Sequence, residues 1–257
     1  MKKLLLLLLF IPLVFFSQTA IYSSDGVLSV EIPEFVDALS GYPTADELDS
    51  RAIDNYNKGS ELLSSLNKVS SDEKKIILIN QALDYFIRAI NFDSKFVQSY
   101  DNLGKSYRML NKYDLAIKSY EMSVKIFPKG LAAHQNLAVV YDKQEAWGKA
   151  MKEYKIVINI APQNPEGYYG LANVYQHLDK LDLALKNAFV ALKLYNKNPP
   201  NYIGDSYGQI GLIYYYMGNK SKAREYIQIS KEKHISNNLE SYFYATFSKS
   251  WLKELQL

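Results

Sequence analysis

Cysteine is absent from the 257 residues. That removes disulfides, thiolate nucleophiles, cysteine-ligated zinc, iron–sulfur clusters and the lipid-attachment cysteine of bacterial lipoproteins. Histidine is nearly as scarce, with His134, His177 and His234 alone and no HExxH pair among them, so an imidazole metal site has little to build on. No G-x-S-x-G elbow occurs. The tripeptide Gly104-Lys105-Ser106 has the tail of a phosphate loop, but the position that needs an earlier glycine is Ser99 and no strand-like run precedes it. Without that glycine the backbone cannot turn its N–H groups onto a phosphate. No catalytic constellation, metal site or cofactor is expected. An Asn-Lys-Ser sequon at Asn219 falls in a turn between helices and reads as a chance match.

Long apolar runs are also missing, with one exception. Lys2 and Lys3 precede an uninterrupted stretch from Leu4 to Phe16, the shape of a secretory signal peptide over residues 1–17. It is shorter than the roughly 20 residues a spanning helix needs, though a retained anchor is the alternative. Cleavage is expected near Ser17-Gln18 or, as a second option, around Thr19-Ala20. Loss of Lys2 and Lys3 takes the balance from 30 basic and 27 acidic residues to 28 and 27, a net +1. Nucleic acid then lacks an electrostatic basis as a partner. An exported chain without disulfides must be held by packing alone, which favours helical layers. Residues 18–44, with Gly26, Pro33, Gly41 and Pro43, read as a linker or poorly ordered arm, with "VLSVEIPEF" as a candidate short strand. Thr44 and Glu47 stand in capping-box spacing and predict a helix start near Ala45.

What fills the rest is a repeat of 34 residues. Gly104, Ala138 and Ala172 are equally spaced, as are Tyr107, Tyr141 and Tyr175, and Ala116, Ala150 and Ala184. Tyr120 and Tyr154 are followed by Ala188, and Pro128 and Pro162 close two units. Gly211, Tyr214 and Ala223 keep the internal spacing after five extra residues around Pro199-Pro200, a pair that should end the preceding helix. Upstream, Ala82 lies 34 before Ala116, whereas Gly59 lies 45 before Gly104, so "NKVSSDEKK" is an enlarged turn or a helical extension. Within a unit, Leu103, Tyr107 and Leu110 form one apolar stripe and Ala116, Tyr120 and Ser123 a second. Two antiparallel helices result. Each pair alone leaves apolar surface wet, so neighbours must stack.

The line "YDNLGKSYRMLNKYDLAIKSYEMSVKIFP", Tyr100 to Pro128, resembles the tetratricopeptide repeat. The resemblance implies an all-α fold: a right-handed superhelix of about five helix-turn-helix repeats over residues 45–237, with units near 45–96, 97–130, 131–164, 165–198 and 204–237. Gly104 would be the small-residue seat where two helices cross, with Gly104→Ala tolerated or mildly stabilising. Residues 238–257 would form one capping helix, with Leu239, Phe243, Phe247, Trp251 and Leu255 at four-residue intervals; docking to a partner or membrane surface is the alternative for that stripe.

Such proteins generally bind partners on a concave face lined by the first helix of each unit. Projected here, that face comprises Tyr56, Asn57 and Ser60; Asp101, Asn102, Lys105 and Arg108; Gln135, Asn136, Val139 and Asp142; and Tyr169, Asn173, Gln176 and His177. The carboxylate clamp of one branch of the family is disfavoured, because no register supplies its set of cations without opposing acids. Of the twenty-two tyrosines, many belong to repeat-core series, and of Tyr214, Tyr215 and Tyr216 at least one must face away from the core. The expectation is a non-catalytic, exported scaffold, periplasmic or extracellular, that binds a protein or peptide. The alternative is a helical-repeat protein that binds a glycan or other small ligand in a tyrosine-rich groove.

Overall fold

The computed structural model describes residues 47–195, 202–247 and 249–255. The expected leader, the arm at 18–44, its candidate strand, Thr44-Ala45 and Pro199-Pro200 lie outside these. Among the described residues the fold is all-α, with 12 helices and no strand. The chain divides into two compact units between Gln144 and Glu145. The first holds α1 (Ser50–Ser65), α2 (Asp72–Phe92), α3 (Val97–Met109), α4 (Tyr113–Ile126) and α5 (Leu131–Lys143). The second holds α6 (Trp147–Ile160), α7 (Pro165–His177), α8 (Leu181–Tyr195), α9 (Ile203–Tyr216), α10 (Lys220–Ser236), α11 (Glu240–Thr246) and α12 (Lys249–Glu254). In each unit, helices consecutive in the chain pack as hairpins that stack on their neighbours.

Local chemistry sets the helix starts. The Asp49 side chain accepts from the Arg51 N–H at 2.8 Å, so the first described helix begins at Ser50. Asn164 caps α7 through the Glu166 N–H at 2.9 Å, with Pro165 at the first helical position, where its missing N–H is not needed. The enlarged first unit is resolved mainly as a helical extension: a short 3-10 turn at Leu66–Lys68 leads to Ser71, which caps the 21-residue α2.

The turns after the first helices obey the same period as the core. Asn111, Glu145 and Asp179 all adopt positive φ, at 56°, 57° and 55°, and Gly218 follows at 77°. Each puts a left-handed residue just past the helix end. In α3 the Asn111 N–H reaches the Arg108 carbonyl at 2.9 Å and the Lys112 N–H reaches the Tyr107 carbonyl at 2.9 Å. Tyr175 and Tyr214 receive the equivalent bonds from Lys180 and Asn219. The repeat tyrosine thus packs with its ring and closes the turn with its carbonyl.

The small-residue seat is present, but it is tighter than expected. A Cβ on Gly104 would stand 2.6 Å from Tyr120 Cε1, and one on Gly211 would stand 2.6 Å from Ile227 Cδ1. Ala188, at the same offset from Ala172, leaves room for that alanine, and both are fully buried. The expected tolerance of Gly104→Ala is therefore corrected: Tyr120 is itself fully buried and has no space to yield.

The first unit's core gathers Tyr56, Phe86 and Phe96, with Tyr56 and Phe96 ring centroids 4.9 Å apart. In the second unit Phe243, Phe247, Leu252 and Leu255 join Ile210, Ile213 and Ile227 in one core. The described part of the C-terminal segment packs its apolar side chains into this core. Its form differs from the expected single helix, because Phe247 is extended (φ −112°, ψ 109°) and separates α11 from α12. The break turns Leu252 inward beside Leu255, a side chain off the four-residue stripe. Tyr214 fills the core, whereas Tyr216 is exposed.

Candidate functional site

The first helices of each pair carry the residues selected from the sequence, and burial sorts them. In the first unit Tyr56 is fully buried and lies in the core, not on a face. Asn102 is buried too, and its Nδ2 donates to Tyr56 Oη at 3.2 Å and Ser60 Oγ at 3.3 Å. These three groups tie α1 to α3, and a buried amide so placed holds register rather than a ligand. Asn136 is buried and donates to the Ala132 carbonyl one turn back at 2.9 Å. Asn57, Asp101, Arg108, Gln135, Val139 and Asp142 are half-buried, and Asn57 Oδ1, Asp101 Oδ1, Arg108 Nε and Asp142 Oδ1 are themselves shielded from solvent.

Lys105 is 8% exposed, so it is not the open cation its place in the projection implied. Burial pushes its ammonium down to about 7, with the Arg108 charge adding to the effect. Burial also pushes Asp101 up to about 7, opposed by Ser123 and the His134 charge. Both side chains are thus poised near neutrality. Ser106 donates to the Asn102 carbonyl at 2.8 Å. With Gly104 against Tyr120, nothing in Gly-Lys-Ser is arranged as a phosphate cradle.

In the second unit Tyr169, Asn173 and Gln176 are half-buried. His177 is exposed and its ring stacks on Trp147, with centroids 4.4 Å apart and planes 8° from parallel. The sequence projection missed the more polar group beside them. Glu166, in the first turn of α7, is 8% exposed and accepts a hydrogen bond from Tyr195 Oη. Burial pushes its carboxyl up to about 7, against the Tyr195 bond and with the help of the Asp205 charge. Asp205 occupies the first turn of α9. Gln209, one turn further, donates Nε2 to the Tyr169 carbonyl at 3.0 Å. Tyr195, Tyr202 and Tyr242 complete the surroundings, and burial raises the phenols of Tyr169, Tyr195, Tyr202 and Tyr242. A signal for this group existed in the sequence. Glu166 and Asp205 are separated by the same interval as Tyr175 and Tyr214, so they hold one internal position of successive repeats.

Ser230, His234 and Asp205 fall in a line that resembles a nucleophilic triad. His234 Nε2 is 3.3 Å from Asp205 Oδ1, and Ser230 Oγ is 3.4 Å from His234 Nδ1. The chemistry is structural. Ser230 is fully buried and donates to the Gly204 carbonyl at 2.7 Å, while His234 Nδ1 is bonded to the Ser230 carbonyl at 2.8 Å. A general base must face the serine proton, and this imidazole is engaged elsewhere. Burial alone would lower the His234 pKa, but the Asp205 and Ser230 bonds raise it overall.

Among the described residues no group of three acidic or histidine side chains is placed to hold a metal ion, and no helix is long and apolar enough to cross a membrane.

A family model described as "Tetratricopeptide repeat" matches residues 97–129 and 204–228. Solved structures share the fold. A MamA fragment from Desulfovibrio magneticus RS-1 superposes with a TM-score of 0.60 at 17% identity, over 74% of this chain and 98% of that one. YrrB, titled a TPR protein with an unusual peptide-binding site, gives 0.53 at 20% identity, over 74% and 90%. BtubC from P. vanneervenii gives 0.57 at 15%, over 73% and 91%. No curated protein is significantly similar in sequence.

Proposed function

We propose that this chain, whose residues 97–129 and 204–228 match the tetratricopeptide-repeat model and whose fold is shared with YrrB, titled a TPR protein, is a non-catalytic scaffold. It binds a protein or peptide on the inner faces formed by the first helices of its repeats. One observation carries this reading: Asn57, Arg108, Gln135, Asn173 and Gln176 stay half-buried at equivalent helix faces. Side-chain amides and a guanidinium at that spacing suit the hydrogen-bonding groups of a polypeptide backbone. The peptide-binding site named for YrrB is consistent with such use.

Export to the periplasm or the cell exterior is part of the proposal. It is supported by the two lysines and thirteen-residue apolar run at the N-terminus. The glycan-binding alternative is weaker, because the tyrosines of the second unit meet one another. Tyr169 abuts Tyr195 edge-on with centroids 6.4 Å apart, and Tyr226 packs on both Tyr207 and Tyr214. Sugar stacking needs an open ring face.

The test is site-specific photocrosslinking in cells. A photoreactive residue at Gln135 or Gln176 should capture a polypeptide, and one at Lys155, exposed on a second helix, should not. Equal capture at all three positions, or none at any, refutes the scaffold reading. N-terminal sequencing of the envelope fraction tests export: a chain still beginning at Met1 in the cytoplasm refutes it.

A further inference from the structure

We propose that the inner face of the second unit contains a subsite for a basic side chain, the ammonium or guanidinium of a lysine or arginine on the bound polypeptide, between Glu166 of α7 and Asp205 of α9. This deepens the scaffold reading and rests on it. The first argument is a surplus of acceptors. Glu166 and Asp205 hold the same repeat position on two neighbouring first helices, and each acts electrostatically on the same tyrosines, Tyr169, Tyr195 and Tyr202. Gln209 supplies an independent observation. It is 5% exposed, its Nε2 is spent on the Tyr169 carbonyl, and its Oε1 is buried with no donor. A buried acceptor without a donor is costly, and a cationic donor would satisfy it.

The second argument is what surrounds these acceptors. The charged and titratable groups that act on Glu166 and its tyrosine neighbours are Asp205, Tyr154, Tyr169, Tyr195, Tyr202 and Tyr242, and His234 lies on the far side of Asp205. Among the described residues no lysine or arginine belongs to this group. Aromatic rings favour cations at their faces, and a carboxylate beside them adds a charge-assisted bond. Glu166 and Gln209 are buried, and the margin of the group meets solvent at Tyr242, 41% exposed, and at half-buried Tyr202. Elsewhere in the second unit this face presents Asn173, Gln176 and His177, so its carboxylates are those of Glu166 and Asp205.

Proton chemistry gives the subsite a signature. Glu166 binds a proton up to about pH 7 in the empty chain, and an entering cation would displace it. Protonation of His234 at lower pH adds a like charge beside Asp205 and acts in the same direction. Affinity therefore rises with pH across neutrality.

The test titrates the full chain, with isotope-labelled tyrosines, using N-acetyl-arginine amide, N-acetyl-lysine amide and N-acetyl-glutamine amide. The two cations should shift the Tyr169, Tyr202 and Tyr242 ring signals saturably, and the glutamine compound should not. Binding should weaken about tenfold from roughly pH 8 to roughly pH 6 and be lost in Glu166→Gln. Equal shifts with the neutral compound, or undiminished binding in Glu166→Gln, overturn the subsite. If Gln135 and Gln176 still crosslink a polypeptide when no cation shift is seen, the subsite fails and the scaffold stands. Saturable cation shifts without any crosslink sustain the subsite and reject the scaffold.

Discussion

Glu166→Gln should make the protein more stable at slightly alkaline pH, and its size can be worked from the structure. A solvated glutamate releases its proton near 4.5, but buried Glu166 keeps it to about 7. Between those values the folded chain binds more protons than the unfolded one, so stability falls as pH rises through the window and levels off above it. That is the reverse of the usual paired carboxylate. Each tenfold difference in proton affinity corresponds to about 1.4 kcal/mol, and with partial relaxation around the charge the penalty above pH 7 is about 1–3 kcal/mol. Glutamine carries no charge and still offers its oxygen to Tyr195. Urea unfolding of wild type and variant across this window is the assay, read as the midpoint for the second unit because two units need not unfold together. The curves should coincide near pH 4.5 and diverge above it, with the variant higher. An Asp101→Asn background removes the parallel drift from Asp101, whose carboxyl is also pushed up to about 7. A variant that is no more stable than wild type on the alkaline side would refute the reasoning, and with it the burial of Glu166.

Three further outcomes are expected. Gly104→Ala should destabilise the first unit by about 1–3 kcal/mol, since the new methyl group meets a buried tyrosine ring, and Tyr120→Leu should recover part of the loss in a double-mutant denaturation cycle. Glu145→Asn should raise the thermal midpoint, with a gain of about 0.5–1 kcal/mol, because asparagine tolerates the left-handed backbone that glutamate is forced into. Phe247→Ala should cost about 3 kcal/mol or more by emptying a site against Phe243 and Gly208, visible as a lower unfolding midpoint for the second unit.

The repeat was legible because the period is carried by small and aromatic residues whose jobs are steric. Alanine and glycine sit where helices cross, and tyrosine fills the space beside them. The turn residues share the period, but Glu145 has no preference for positive φ and only the backbone reveals it. The candidate face was legible by position and not by depth. Asn102 and Asn136 project like groove residues, yet their position faces the adjoining helix, and there an amide bonds to protein. Lys105 was read as an open cation for the same reason. Glu166 and Asp205 share a repeat position, but nothing in that spacing shows that Glu166 is buried against Tyr195; only the packed structure does. The C-terminal helix was drawn whole because its four-residue stripe continues through Phe247, whereas packing of Phe247 and Leu252 into one core demands a bend.

Tyr154 lies over Gly170, leaving no room there for even a methyl group, while Gly104 receives Tyr120 and Ala172 faces a smaller neighbour. The repeats therefore share a length without being exchangeable parts. A seat and the ring opposite it move together when both lie in one unit, as Gly104 and Tyr120 do, but Tyr154 belongs to the third unit and Gly170 to the fourth. A transplanted fourth unit would keep its inner seat and still have to fit Gly170 to whatever side chain the preceding unit presents. Their order along the chain is written into the contacts themselves, and the molecule would lengthen by duplication only where both sides of the new joint were altered together.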